Sequence, residues 1–297
     1  MSLRFARRFS VGVAAFLTAV SSAAVAAPTA SAAPHGGTEA VFFGDSFFAN
    51  PSYFQVGDWR GDLARQGMSS EHYIESEPGA PSPQGCPQGK KTVANQYGAI
   101  TGRSVANYAC SSAKAIGDSN RKNFRQQIDG AVANHDLTGD TKHVFVQFGA
   151  NNLQEVLMAE FNGDTYKQSL VNNARRIRQV APHATITFVG YPAISASNGA
   201  VCPVRTRQSS QVGLNVDVLG AVRAGEDRIN TSMWDAANAS GARYLDLRSA
   251  TLDHNMCAPD DIRWVAGVSE YAVPHNLYNH FTHAGVDGVA NILKTRS

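Results

Sequence analysis

Five short apolar runs, at residues 41–43, 104–109, 143–148, 185–190 and 243–247, alternate along the chain with stretches of helical spacing at 92–101, 121–134, 165–180, 212–239 and 284–293. Runs this short and this rich in Val, Ile, Phe and Tyr read as buried strands. Strand–helix alternation predicts a parallel sheet covered by helices on both faces, with ligands bound at the carboxyl ends of the strands. The expected fold is therefore α/β, a three-layer α/β/α sandwich around a central parallel sheet of about five strands. With 297 residues, 43% of them hydrophobic and 17% charged, the chain holds one large core, and a single domain over 34–297 is expected.

Residues 1–33 read differently. Arg4, Arg7 and Arg8 precede an apolar run at 11–20, and small residues at 21–33 offer cleavage after Ala24-Val25-Ala26 or Ala30-Ser31-Ala32. This is the pattern of a secretory signal peptide. The apolar run falls short of the ~20 residues that a spanning helix needs, and no later segment reaches that length, so no transmembrane segment is expected in the mature chain. Arg7-Arg8 leaves the Sec and twin-arginine routes both open. The net charge is +2, and loss of those three arginines makes it −1, which leaves no electrostatic footprint for nucleic acid.

The four cysteines, Cys86, Cys110, Cys202 and Cys257, all lie in the exported part, where an even count favours disulfides. The pairing Cys86 to Cys110 and Cys202 to Cys257 closes loop-rich segments without crossing. No two cysteines have the spacing of a zinc knuckle, so no metal is expected. Three long irregular segments, at 69–91, 191–211 and 248–279, contain or border cysteines and are expected at the rim of a cleft. Aromatic residues in and around them, Tyr53, Trp59, Tyr73, Tyr191 and Trp264 among them, are candidates for its walls.

Three polar clusters fall where chemistry is expected. Gly44-Asp45-Ser46 ends the first strand and puts a hydroxyl at the sheet edge. The same tripeptide recurs at Gly117-Asp118-Ser119, but no strand precedes it there. Gly149-Ala150-Asn151-Asn152 ends the third strand; an asparagine there either donates to a developing oxyanion or caps a helix. Near the end of the chain, His275, His280 and His283 precede the last helix. One of them as a general base suits neutral pH, whereas a metal cluster lacks a nearby carboxylate before Asp287.

The order and context of these pieces resemble the SGNH hydrolase family, also called the GDSL esterases and lipases, over essentially the whole mature chain. Phe42-Phe43-Gly44-Asp45-Ser46-Phe47 resembles its first block, which implies Ser46 as nucleophile with its N–H as an oxyanion donor. Asn107-Tyr108-Ala109-Cys110-Ser111-Ser112-Ala113 resembles the second, with Ser112 where the family usually has glycine; the backbone N–H survives, at a cost of ~1–2 kcal/mol if the residue must be left-handed. Gly149-Ala150-Asn151-Asn152 resembles the third and assigns Asn151 to the oxyanion hole. His280-Phe281-Thr282-His283-Ala284-Gly285 resembles the last, so His280 is the implied base. The aspartate usual three residues before it is Leu277 here. Some secreted bacterial members use a backbone carbonyl instead, and the Leu277 C=O is the expected orienter of His280 in a Ser-His dyad.

The resemblance implies a flavodoxin-like sandwich and a secreted serine ester hydrolase that forms an acyl-enzyme, needs no cofactor and becomes more active as His280 deprotonates near its ordinary value. The substrate is a small-molecule, lipid or polysaccharide ester. An acyltransferase acting on cell-envelope esters is the alternative, and a non-catalytic binding protein on the same fold is a third reading, motivated by Leu277 and Ser112. No heptads are present, and monomer is the default.

Overall fold

The computed structural model of the protein describes residues 37–57, 76–117, 122–159, 164–205 and 220–297. The expected export segment at 1–33, the helical stretch at 212–219, and Trp59, Tyr73, Asp118 and Ser119 lie outside the described residues. Among the described residues, no helix is long and apolar enough to cross a membrane.

The central sheet is parallel and five-stranded: β1 (Ala40–Gly44), β2 (Val105–Asn107), β3 (His143–Gln147), β4 (Thr185–Val189) and β6 (Arg243–Leu245), in the order β2-β1-β3-β4-β6. The chain leaves β1 to form β2 on one side and returns to lay β3 on the other, in register at Phe42 with Asn107 and with Phe145. That reversal makes the carboxyl end of β1 a topological switch point, the place where open α/β sheets bind ligands.

Successive residues of β1 face opposite sides of the sheet. Phe42 packs on Tyr97 of α3 (Val93–Thr101), with ring centroids 5.8 Å apart, and Phe43 packs on Phe124 of α4 (Phe124–Ala133) at 5.9 Å. Both rings are fully buried, and each contributes about 1.5–3 kcal/mol of apolar stabilisation. Helix α9 (His283–Arg296) lies against α3, while α6 (Thr165–Val180) packs with α4 and with α7 (Ala221–Ser240). The result is the three-layer α/β/α sandwich.

The helices begin where their caps allow. Asn123 accepts from the Gln126 N–H in a capping box, so α4 starts at Phe124. Thr282 Oγ1 accepts from the Gly285 N–H, which opens α9 at His283. The long irregular segments hold a second, two-stranded parallel sheet, β5 (Val204–Arg205) with β7 (Ser269–Glu270), too short to show periodicity in sequence. Both expected disulfides are formed, Cys86 to Cys110 with Cα atoms 5.3 Å apart and Cys202 to Cys257 at 5.0 Å.

Candidate active site

The first strand delivers Ser46 through a tightly bracketed turn. Gly44 N–H donates to Gln127 Oε1 at 2.9 Å, Gln127 Nε2 donates back to Gly44 O at 2.9 Å, and Asp45 N–H donates to Gln147 O at 3.2 Å. A Cβ at Gly44 would lie 2.8 Å from Gln147 O, which explains the glycine. Asp45 then caps α1 (Ser46–Ala49), one carboxylate oxygen accepting from the Phe47 N–H at 3.0 Å. Ser46 is the first helical residue, where backbone N–H groups have no partner within the helix. Its 9% exposure leaves it reachable at the sheet edge.

Two loops converge beside it. Ala113 N–H donates to Cys110 O at 3.1 Å, closing a turn whose third residue, Ser112, has φ +62°. That is the position at which such turns favour glycine. Asn151, in the 3₁₀ turn Ala150–Asn152, donates from Nδ2 to Ala113 O at 3.0 Å, and Asn152 Oδ1 accepts from the Ala115 N–H at 2.7 Å. The asparagine loop is thereby docked on the Ser112 loop, and the second N–H of the Asn151 amide remains available.

His280 comes from the opposite end of the chain. Its backbone is fixed by the Ala266 N–H donating to His280 O at 2.9 Å and the Asn279 N–H donating to Gly267 O at 3.2 Å. Nδ1 meets Tyr278 O at 2.7 Å, so the orienting carbonyl is that of Tyr278 and not of Leu277. Asn279, at φ +56°, turns the chain so that the carbonyl two residues before the histidine reaches its ring. Leu277 packs instead against Tyr53. An acceptor at Nδ1 fixes the tautomer that leaves a lone pair on Nε2, and among the described residues that atom has no hydrogen-bond partner. The ring packs on Phe47 at a centroid distance of 4.7 Å. Burial pushes its pKa down to about 4, against a smaller opposing effect of the Tyr278 carbonyl. The deprotonation expected near 6.5 is displaced accordingly.

Ser46, Ser112, Asn151, Leu277 and His280 all line one cavity of about 590 Å³, together with Val56, Gly57, Ser111, Tyr278 and Asn279. His275 and His283 do not. His275 bonds the Tyr53 hydroxyl through Nε2 at 2.8 Å and Val273 O through Nδ1 at 2.9 Å, while His283 Nε2 meets Asn276 Oδ1 at 3.1 Å. Among the described residues, no group of three or more His, Cys, Asp or Glu is placed to hold a metal ion.

Two residues beside the site, Asp45 and Tyr191, were given no part in the chemistry by the sequence. Asp45 is fully buried, and burial pushes its pKa up to about 7 against the lowering effects of the Tyr191 hydroxyl and the Phe47 N–H. Tyr191, a candidate cleft wall by sequence, is buried in the core, where its hydroxyl donates to Asp45 Oδ2 and accepts from the Ala150 N–H at 3.0 Å. The tripeptide Gly44-Asp45-Ser46 exposed half of this pair; the other half lies 146 residues away.

The GDSL-like lipase/acylhydrolase family model matches residues 42–287. Among solved structures, the extracellular lipase from Streptomyces rimosus is 17% identical with a TM-score of 0.56, over 88% of this chain and 100% of that one. Phospholipase A1 from Streptomyces albidoflavus NA297 is 18% identical with a TM-score of 0.55, over the same shares. At these identities the likeness is one of fold. No curated protein sequence matches the chain.

Proposed function

The chain belongs to the GDSL-like lipase/acylhydrolase family, and on that premise we propose that it is a secreted serine ester hydrolase using a Ser46–His280 dyad. The observation that carries this reading is convergence: Ser46, Ser112, Asn151 and His280, from four distant stretches, line one cavity, and among the described residues His280 Nε2 has no partner.

In the proposed reaction, Ser46 Oγ attacks the ester carbonyl carbon and its proton passes to His280 Nε2. The carbonyl oxygen becomes an oxyanion held by the N–H groups of Ser46 and Ser112 and by Asn151 Nδ2, donors fixed before charge develops. The bond to the alcohol oxygen breaks, the alcohol leaves with the proton from His280, and Ser46 carries the acyl group. Water then adds to the acyl carbon while His280 takes its proton, and Ser46 Oγ departs with that proton restored.

The Tyr278 carbonyl holds the tautomer as a carboxylate would, but it stabilises the transient imidazolium less because it is neutral. Burial pushes the pKa of His280 down to about 4, and the Tyr278 carbonyl offsets only part of that. Val56 and Leu277 give the cavity apolar surface, and Ser111, Ser112 and Asn151 give it polar surface. Export is supported by the Arg-led apolar leader of the sequence and by two formed disulfides.

The test is mass spectrometry after reaction with a slowly deacylating nitrophenyl ester. The reading expects one adduct, on the peptide carrying Ser46, that disappears in Ser46→Ala. An adduct elsewhere, or hydrolysis undiminished by Ser46→Ala, would overturn it.

A further inference from the structure

Two carboxylate oxygens of Asp45 have two separate tasks. One accepts from the Phe47 N–H at 3.0 Å and caps α1; the other accepts from the Tyr191 hydroxyl. Capping alone needs a single acceptor, which serine, threonine or asparagine supplies without burying a charge. Among the described residues no cation compensates this carboxylate, and burying one without a cation is costly. A carboxylate is the side chain that can accept from both donors at once.

Tyr191 continues the chain of bonds. Its hydroxyl oxygen accepts from the Ala150 N–H at 3.0 Å, one residue before Asn151. Its ring sits against Gly149, where an added Cβ would lie 3.1 Å from Tyr191 Cε2 and 2.9 Å from Tyr166 Oη. The same ring packs edge-on against Phe47 at 5.1 Å, and Phe47 carries the ring of His280. The backbone N–H of Tyr191 donates to Asn230 Oδ1 at 2.8 Å, which anchors the residue to α7.

We propose that Tyr191 is a positioning residue for catalysis: its hydroxyl ties the nucleophile turn to the oxyanion turn by donating to Asp45 and accepting from the Ala150 N–H. The proposal rests on the assignment of Ser46 and Asn151 above. Without the tether, the two turns keep their internal bonds and the backbone bond from Asp45 N–H to Gln147 O, but lose the side-chain link that joins Asp45 to Ala150, the residue before the asparagine donor. Misplacement of reacting groups by a fraction of an ångström is felt in turnover more than in binding.

The experiment measures kcat and KM on a short-chain chromogenic ester for the parent, Tyr191→Phe, Asn151→Ala and the double variant, with hydrogen exchange of the Ala150 amide followed by NMR. Tyr191→Phe is expected to lower kcat by roughly 10-fold with KM within about 2-fold, and to speed Ala150 exchange. Once Asn151 is already alanine, the same change should cost less than about 2-fold, because residues acting through one another are not additive. Multiplicative losses, an unchanged kcat or unchanged Ala150 exchange would each overturn the proposal. If Tyr191→Phe fails to fold, adding Asp45→Asn removes the stranded carboxylate, and the same comparisons are made in that background. A parent that hydrolyses no ester, yet is not labelled at Ser46, would refute the esterase reading; the tether is then decided by Ala150 exchange, faster in Tyr191→Phe if it exists and unchanged if it does not.

Discussion

Ser112→Gly should make this protein more stable without slowing it. Ser112 occupies the third position of the Cys110–Ala113 turn at φ +62°, where an L-residue is strained by roughly 1–2 kcal/mol. Glycine removes that strain but adds about 0.5–1 kcal/mol of backbone entropy to the unfolded chain. The Ser112 side chain is exposed, so its removal uncovers no core. The net expectation is a gain of about 0.5–1 kcal/mol, and a rise in melting temperature of roughly 1–4 °C for a domain of this size. The proposed oxyanion donor is the backbone N–H, which glycine keeps, so kcat on a short-chain ester should stay within about 2-fold. Differential scanning calorimetry and steady-state kinetics on the two proteins decide it. An equal or lower melting temperature would refute the strain argument, and a large fall in kcat would show that the serine hydroxyl takes part in the chemistry.

Four further expectations follow from the same geometry. The acid limb of kcat/KM should lie near about 4 and not near 6.5, because burial favours neutral His280; a limb at 6.5 would contradict this. The corresponding stability contribution is lost in acid too, but over a higher range: the unfolded histidine protonates near ~6.5 while the folded one does not, so stability contributed by this site falls as pH drops from there toward about 4, measurable by urea melts of parent and His280→Ala. Asn151→Ala should lower kcat by about 10²–10³ with little change in KM, and equal losses in binding would point to a substrate-holding role instead. Cys86→Ala with Cys110→Ala opens a loop whose ends are 24 residues apart, at a cost of roughly 3 kcal/mol; because Cys110 begins the Ser112 turn, kcat should fall as well, and a change confined to stability would show that the bridge does not brace the turn.

The strands that build the site were legible because each is a continuous apolar run bounded by glycine or polar residues. α6 runs over the residues its helical spacing predicted. Ser46, Asn151 and His280 were legible through their place at strand ends or before the last helix, and the geometry gathers them in one cavity. The carbonyl at His280 was misplaced by one residue, from Leu277 to Tyr278, because the left-handed angle of Asn279 is a local backbone choice that sequence pattern does not encode. β5 and β7, two residues each, lie below any periodicity. The Asp45–Tyr191 pair escaped for another reason: a buried hydrogen bond between residues 146 apart leaves no pattern in either neighbourhood.

The most direct test of the central claim is hydrolysis of a short-chain chromogenic ester by the disulfide-bonded protein beside Ser46→Ala and His280→Ala. The dyad predicts turnover in the parent and a fall of at least about 10³-fold in each variant, since nucleophile and base act as a unit. Turnover that survives either substitution would contradict the assignment of that residue, and turnover that survives both would place the chemistry elsewhere.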